Sequence, residues 1–187
     1  MTLPAPLQPL AAYNQWITYG IRPSQTRPGK TDKIPTDWRT GEVCSAFDPI
    51  IQTDYATAVQ AIGGHVGFVL ADTDPFFCID IDNCLVDGAW SPLALEVMGA
   101  LPGAAWEVSV SGNGLHGWGM AILPTGHGTR APGLELYSTG RFVAVTGVNA
   151  VGDAACDLTM PMQAVVDKYF GVTSGAPATW TTGPVEI

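Results

Sequence analysis

Residues 76–82 read Phe76-Phe77-Cys78-Ile79-Asp80-Ile81-Asp82, and the fold is read outward from them. Aromatic and β-branched residues crowd this run, which predicts a buried strand. Side chains alternate faces along a strand, so Asp80 and Asp82 point one way while Ile79 and Ile81 point into a core. Two neighbouring carboxylates on one face repel each other unless a cation neutralises them. Hard divalent ions such as Mg²⁺ or Mn²⁺ suit oxygen ligands of this kind. The plainer alternative is that Asp82 opens a turn with Asn83 and Asp80 is half exposed.

A third acid stands in similar company. In Leu134-Glu135-Leu136-Tyr137, the two leucines share one face and Glu135 and Tyr137 the other. Three carboxylates from two strands can hold two divalent ions about 3.5–4 Å apart, the arrangement that clamps both oxygens of a phosphoryl transfer. Taken alone, Glu135 also reads as a solvent-facing strand residue. Between the two acidic strands lies Ser111-Gly112-Asn113-Gly114-Leu115-His116. A glycine-rich turn offers backbone N–H groups to an anion, and His116 opens the next strand with an imidazole able to bond a phosphate oxygen. Arg141, six residues beyond Glu135, is a candidate triphosphate contact or a surface ion pair. His65 and His127 read as loop residues.

Around these motifs the chain divides as follows. Residues 1–12 are proline-rich and read as an arm; 20–49 read as a long loop holding one short strand. A helix is expected over 54–62, capped by Asp54, and a strand over 66–70. A second helix spans 91–101, with Ser91 as cap, Pro92 at its first position and Pro102-Gly103 as its stop. Strands 106–110 and 116–123 form a hairpin whose turn signal is Asn113-Gly114. Strands 134–137 and 141–146 form a second hairpin, turned by Ser138-Thr139-Gly140. A last helix covers 161–170. The catalytic domain is expected to occupy 1–172, and 173–187 to be a linker toward a longer parent protein.

Of the 187 residues, 47% are hydrophobic and 13% charged, enough apolar material for a packed core. Gly 22 and Pro 15 favour a loop-rich α/β or α+β protein over a helix bundle. No run of about eighteen apolar residues spans a membrane, and the N-terminus lacks the pattern of a signal peptide. Cys44, Cys78, Cys84 and Cys156 form no C-x-x-C pair and read as reduced cytoplasmic thiols. The net charge of −9 sits awkwardly with a nucleic-acid partner. However, Arg22, Arg27, Lys30, Lys33 and Arg39 are five of only eight basic residues, gathered in one segment that can form a local positive patch or an ordinary basic loop.

In this order, the motifs resemble the archaeo-eukaryotic primase superfamily, and in particular the bifunctional primase-polymerase domains of phage and plasmid replication proteins. FFCIDID is similar to the family's hhhDhD strand, SVSGNGLHGW to its S-x-G-x-x-H turn and strand, and LELYSTGRFVAVTG to the block carrying its third acid. GKTDKIP, WRTG and the GFVL strand are similar to its N-terminal part, so the likeness runs from about Tyr13 to Thr146. The resemblance implies a small N-terminal α/β unit packed on an RRM-like mixed or antiparallel sheet, with the active site between them. It implies two Mg²⁺ or Mn²⁺ ions on Asp80, Asp82 and Glu135. It implies nucleotide contacts from His116, Ser111, Gly114 and Arg141, and more weakly from Lys33. The partners implied are nucleoside triphosphates, a single-stranded DNA template or primer-template, and a C-terminal helicase region. The site of action implied is the cytoplasm of a bacterial host. Two other readings of the residues stay open: a non-catalytic single-strand-binding module using Trp118 and Tyr137 as stacking platforms, and a metal-dependent nuclease or phosphohydrolase using the same acids.

Overall fold

Short β-branched and aromatic runs, separated by glycine- and proline-bearing turns, make this chain chiefly one of strands. The computed structural model describes residues 2–61 and 64–171. The strands are β1 (Trp16–Pro23), β2 (Thr31–Thr36), β3 (Val66–Leu70), β4 (Phe76–Ile81), β5 (Leu85–Val86), β6 (Ala89–Trp90), β7 (Ala105–Val108), β8 (Leu115–Met120), β9 (Arg130–Ala131), β10 (Leu134–Tyr137) and β11 (Arg141–Val145). The α-helices are α1 (Tyr55–Ala58), α2 (Pro92–Ala100) and α3 (Thr159–Val165); α3 runs on into a π-helical turn, Val166–Phe170. No helix among the described residues is long and apolar enough to cross a membrane.

Two sheets carry the fold. The first has strand order β11-β3-β1-β2 and the second β7-β8-β4-β10-β9; β5 and β6 form a small separate ribbon. Every pairing between these strands is antiparallel. Helices and strands are segregated rather than alternating, which makes this an α+β fold. Strand β4 lies at the centre of the second sheet and is covered on both faces. Phe77, Ile79 and Ile81 pack with Ala94, Val97, Met162 and Val165 of α2 and α3. Phe76 and Cys78 pack instead with Trp16, Phe68, Val143 and Val145 of the first sheet. The alternation expected for residues 76–82 therefore holds through Ile81, with Asp80 half-buried on the face toward the first sheet, whereas Asp82 opens an exposed turn with Asn83, as in the plainer alternative.

Local signals held where chemistry was local. The Ser91 hydroxyl accepts from the Ala94 N–H at 3.2 Å, with Pro92 opening the helix, and Asp54 accepts from the Thr57 N–H at 2.9 Å. The helix that Asp54 caps stops at Ala58, short of the expected span; Ile62, like the tail 173–187, lies outside the described residues. Three expectations are corrected. Residues 1–12 are not an arm: Ala5–Ala12 is a 3-10 helix, and Leu3, Leu7 and Leu10 are buried in the inter-sheet core. Most of residues 20–36 is a β-ribbon, because β1 runs to Pro23 and pairs with β2. Strands β10 and β11 are not a hairpin. β10 pairs with β4 and β9 in one sheet, and β11 pairs with β3 in the other. The turn at 138–140 thus carries the chain between sheets, and the N-terminal sheet is completed by a C-terminal edge strand.

Candidate active site

Antiparallel register lays five charged or titratable side chains in one row across the second sheet. Glu107 on β7 lies opposite His116 on β8. His116 lies opposite Asp80 on β4. Asp80 lies opposite Glu135 on β10, and Glu135 lies opposite Arg130 on β9. Directly opposed residues share a sheet face, so the whole row looks toward the first sheet. Its members interact in turn. His116 Nδ1 is 3.2 Å from Glu107 Oε1, and Nε2 is 3.9 Å from Asp80 Oδ1. Arg130 meets Glu135 at 2.7 Å, the Tyr137 hydroxyl donates to Glu135 at 2.8 Å, and Arg141 approaches Glu135 at 3.8 Å.

The two sheets part along this row to leave a cleft of about 780 Å³, within the range of small-molecule sites. Asp80, Asp82, Glu135, Ser111, His116, Arg141 and Lys33 all line it. Asp82 sits just past the end of β4, held by its N–H to the Gly133 carbonyl at 3.3 Å. The loop after β7 is braced beside it: Asn113 donates to the Asn83 side chain at 3.2 Å, and the Leu85 N–H to the Asn113 carbonyl at 3.0 Å. Five of the chain's eight basic residues line the cleft (Arg27, Lys30, Lys33, Arg130 and Arg141), against four of its seventeen acids, Asp32, Asp80, Asp82 and Glu135. A chain of net charge −9 thus keeps most of its positive charge in one place. The basic ribbon is weaker than its count suggests, because Arg27 pairs with Asp32 and Arg39 with Asp37, each at 2.6 Å.

The charges in the cleft are felt by its titratable groups. Burial pushes the Asp80 carboxyl above its ordinary range; His116 opposes this, and the nearby charges of Asp82 and Glu135 add to it. Desolvation holds the Lys33 ammonium below its usual range, opposed by Asp80 and Asp82 and reinforced by Arg141. Among the described residues no three His, Cys, Asp or Glu side chains are gathered in metal-ligating geometry, and Glu135 is turned to Arg130 and Tyr137. The donor set itself fits a hard divalent ion: three carboxylates line one cleft, and two of them raise the proton affinity of the third.

Several sequence expectations read differently against this geometry. Gly114 does not line the cleft. Gly112, not Gly114, takes the left-handed backbone (φ 78°), and the connection is a six-residue loop over 109–114 rather than the four residues Ser111-Gly112-Asn113-Gly114. A Cβ on Gly114 would stand 2.9 Å from the Ile81 carbonyl, which accounts for the glycine by close approach. The Ser111 hydroxyl donates to Asn113 at 2.6 Å. Trp118, a candidate stacking platform, is fully buried between the sheets, and Tyr137 is engaged with Glu135 and the Arg141 guanidinium, 4.8 Å from its ring centre. Arg130 and Glu107 were not anticipated. Glu107 carried a legible signal: an acid inside the apolar run Ala105-Trp106-Glu107-Val108, the same argument that singled out Glu135.

No family model matches the chain. It is 30% identical over 161 residues to the DNA primase-polymerase of Nitratiruptor phage NrS-1, in an alignment covering 79% of this chain and 21% of that protein. The chain therefore spans about a fifth of the length of the curated relative it matches.

Proposed function

We propose that this chain is the nucleotidyl-transferring module of a phage-type DNA primase-polymerase. The observation that carries the proposal is the inter-sheet cleft. Asp80, Asp82 and Glu135 line it together with most of the chain's basic residues, in a sequence similar to a phage DNA primase-polymerase. The substrates would be nucleoside triphosphates and a single-stranded or primed DNA template. In the reaction a 3′-hydroxyl attacks the α-phosphate of a nucleotide, a new phosphodiester forms, and pyrophosphate leaves. The hydroxyl belongs to a first nucleotide in priming and to a primer end in extension.

Asp80, Asp82 and Glu135 would hold the Mg²⁺ or Mn²⁺ ions. Such ions supply Lewis-acid activation of the attacking hydroxyl and neutralise charge on the departing pyrophosphate. The remaining work falls to the protein's own groups. His116 turns Nε2 into the cleft, from which it would donate to a phosphate oxygen when both ring nitrogens carry hydrogen. Lys33 on β2 and Arg141 at the start of β11, both from the first sheet, line the same cleft and offer charge to the triphosphate. Ser111 sits at the rim, where its hydroxyl can exchange Asn113 for a phosphate. Because β4, β8 and β10 are locked in one register, Asp80, His116 and Glu135 are positioned before substrate arrives, and the gain is one of orientation.

The burial of Trp118 and the acids on the inner sheet face weigh against a binding module without chemistry. The test is incorporation of labelled nucleotides on an oligonucleotide template, with and without primer, in Mg²⁺ or Mn²⁺. Asp80→Ala/Asp82→Ala should abolish product while the fold survives; full activity in that variant would refute the site. His116→Ala should raise the KM for nucleotide more than it weakens DNA binding, and an unchanged KM would remove His116 from this role.

A further inference from the structure

Glu107 is a buried carboxylate that the transfer chemistry above leaves unused. Its side chain has no solvent exposure. Oε1 lies 3.3 Å from the Trp118 indole nitrogen and 3.2 Å from His116 Nδ1. Oε2 accepts from the backbone N–H groups of Thr146 at 2.9 Å and Gly147 at 2.6 Å. The Thr146 hydroxyl is 3.1 Å from the same oxygen but 2.6 Å from the Val108 carbonyl, and its single hydrogen goes to the nearer acceptor. Indole and backbone N–H groups can only donate. Both carboxylate oxygens are therefore acceptors, and Nδ1 of His116 donates to Oε1. Nε2 is left facing Asp80 and the cleft.

These contacts join the two sheets. Trp118 and His116 belong to β8 of the second sheet, whereas Thr146 and Gly147 follow β11 of the first. A need for packing alone would be met by an apolar side chain, since a buried charge is expensive unless fully bonded. What the carboxylate adds is a fixed direction for an imidazole and a fixed end for the strand that begins with Arg141.

We infer that Glu107 is a positioning residue for nucleotide transfer: it holds His116 with Nε2 turned into the cleft and clamps the end of β11, setting imidazole and guanidinium at a constant spacing across the site. This deepens the primase-polymerase reading and rests on it. The carboxylate touches no substrate and acts through His116.

The experiment uses the whole chain labelled with ¹⁵N, with the His116 ring signals identified by their loss in His116→Ala. Long-range ¹H–¹⁵N spectra of the wild type should show Nδ1 carrying a hydrogen. In Glu107→Gln the amide can turn its NH₂ to Nδ1, so Nδ1 should lose its hydrogen. The KM for nucleotide should rise about 10–100-fold, as for other carboxylates that orient a functional histidine, with template affinity unchanged. A purely structural role would lower the melting temperature without moving the ring signals. A bare Nδ1 in the wild type overturns the inference and needs no variant to fold. So does a folded Glu107→Gln protein with unchanged ring signals and unchanged KM. A wild type that incorporates no nucleotide sinks the transferase reading and this role with it, whereas an active wild type with a bare Nδ1 sinks the positioning role alone.

Discussion

Replacing Asp80 by Asn keeps the side chain's size and removes one charge from the row. The folded protein holds the Asp80 carboxyl above its ordinary range, through burial and the charges of Asp82 and Glu135, against the pull of His116. A carboxyl whose proton affinity is higher folded than unfolded loses stability as pH rises from its unfolded value, about 3.9, through its folded one. Near neutral pH the wild type bears that loss in full and the Asn variant bears none. The part of its size that comes from neighbouring charges follows from the register, and burial adds to it. Like charges facing each other across strands destabilise by about 0.2–1 kcal/mol per pair. Asp80 has Glu135 directly opposite and Asp82 two residues along. His116 Nε2, 3.9 Å away, returns part of the sum, leaving about 1 kcal/mol. For a domain of this size that is about 2–4 °C in Tm.

In EDTA near neutral pH, Asp80→Asn should therefore melt about 2–4 °C above the wild type, and the gap should close below about pH 3.5, where the unfolded carboxyl too is protonated. Divalent ions should invert the order. A ligand that binds only the folded state adds RT ln(1 + [L]/Kd), about 2.7 kcal/mol at a hundredfold excess over Kd. The wild type should gain that stabilisation with Mn²⁺ and the variant should gain little. Thermal melts followed by circular dichroism across pH, with EDTA or Mn²⁺, read both effects without any activity measurement. An Asn variant less stable than the wild type in EDTA at neutral pH would refute the electrostatic reasoning. Equal Mn²⁺ shifts in the two proteins would refute Asp80 as a ligand.

Two further substitutions test the surroundings of the row. Arg130→Ala frees Glu135 from its 2.7 Å partner; since Arg130 is largely exposed, the pair is worth no more than about 1 kcal/mol, and Mn²⁺ affinity by calorimetric titration should rise by up to about fivefold. Gly117→Ala places a Cβ 2.5 Å from the Trp106 ring and 2.8 Å from Ile79; overpacking of this kind destabilises by about 1–3 kcal/mol, and a denaturation midpoint equal to wild type would show that β8 does not need glycine beside His116.

What could be read from the sequence was whatever depended on neighbours along the chain. Alternation over 76–82 put Ile79 and Ile81 in one core and Asp80 on the opposite face, and Ser91-Pro92 marked a helix start. What escaped depended on partners far away. Leu134–Tyr137 and Arg141–Val145, joined by Ser138-Thr139-Gly140, look the same whether the strands pair with each other or diverge into two sheets. Only β3 and β4, as competing partners, decide it. The prolines of residues 1–12 suggested an arm, although Leu3, Leu7 and Leu10 recur at helical spacing and are buried. Arg130 lies on a two-residue edge strand with no periodicity of its own, and its place beside Glu135 is purely a matter of register.

The row also bears on how so acidic a chain would present the proposed site for nucleotide phosphates. Reading across the sheet, Glu107 faces His116, His116 faces Asp80, and Glu135 faces Arg130. Each of these steps sets an acid against a base. The step between Asp80 and Glu135 alone sets acid against acid, with Asp82 beside it. Repulsion that a scattered arrangement would dissipate into solvent is confined to one gap between β4 and β10, and five basic residues line the cleft above it. A cation entering that gap would relieve the one unfavourable step and leave Lys33, Arg141 and Arg130 without a full complement of negative partners. The demand for a polyanion would then arise from ion binding itself. Net charge, a sum over the whole surface, carries no information about such a gradient across a few ångströms.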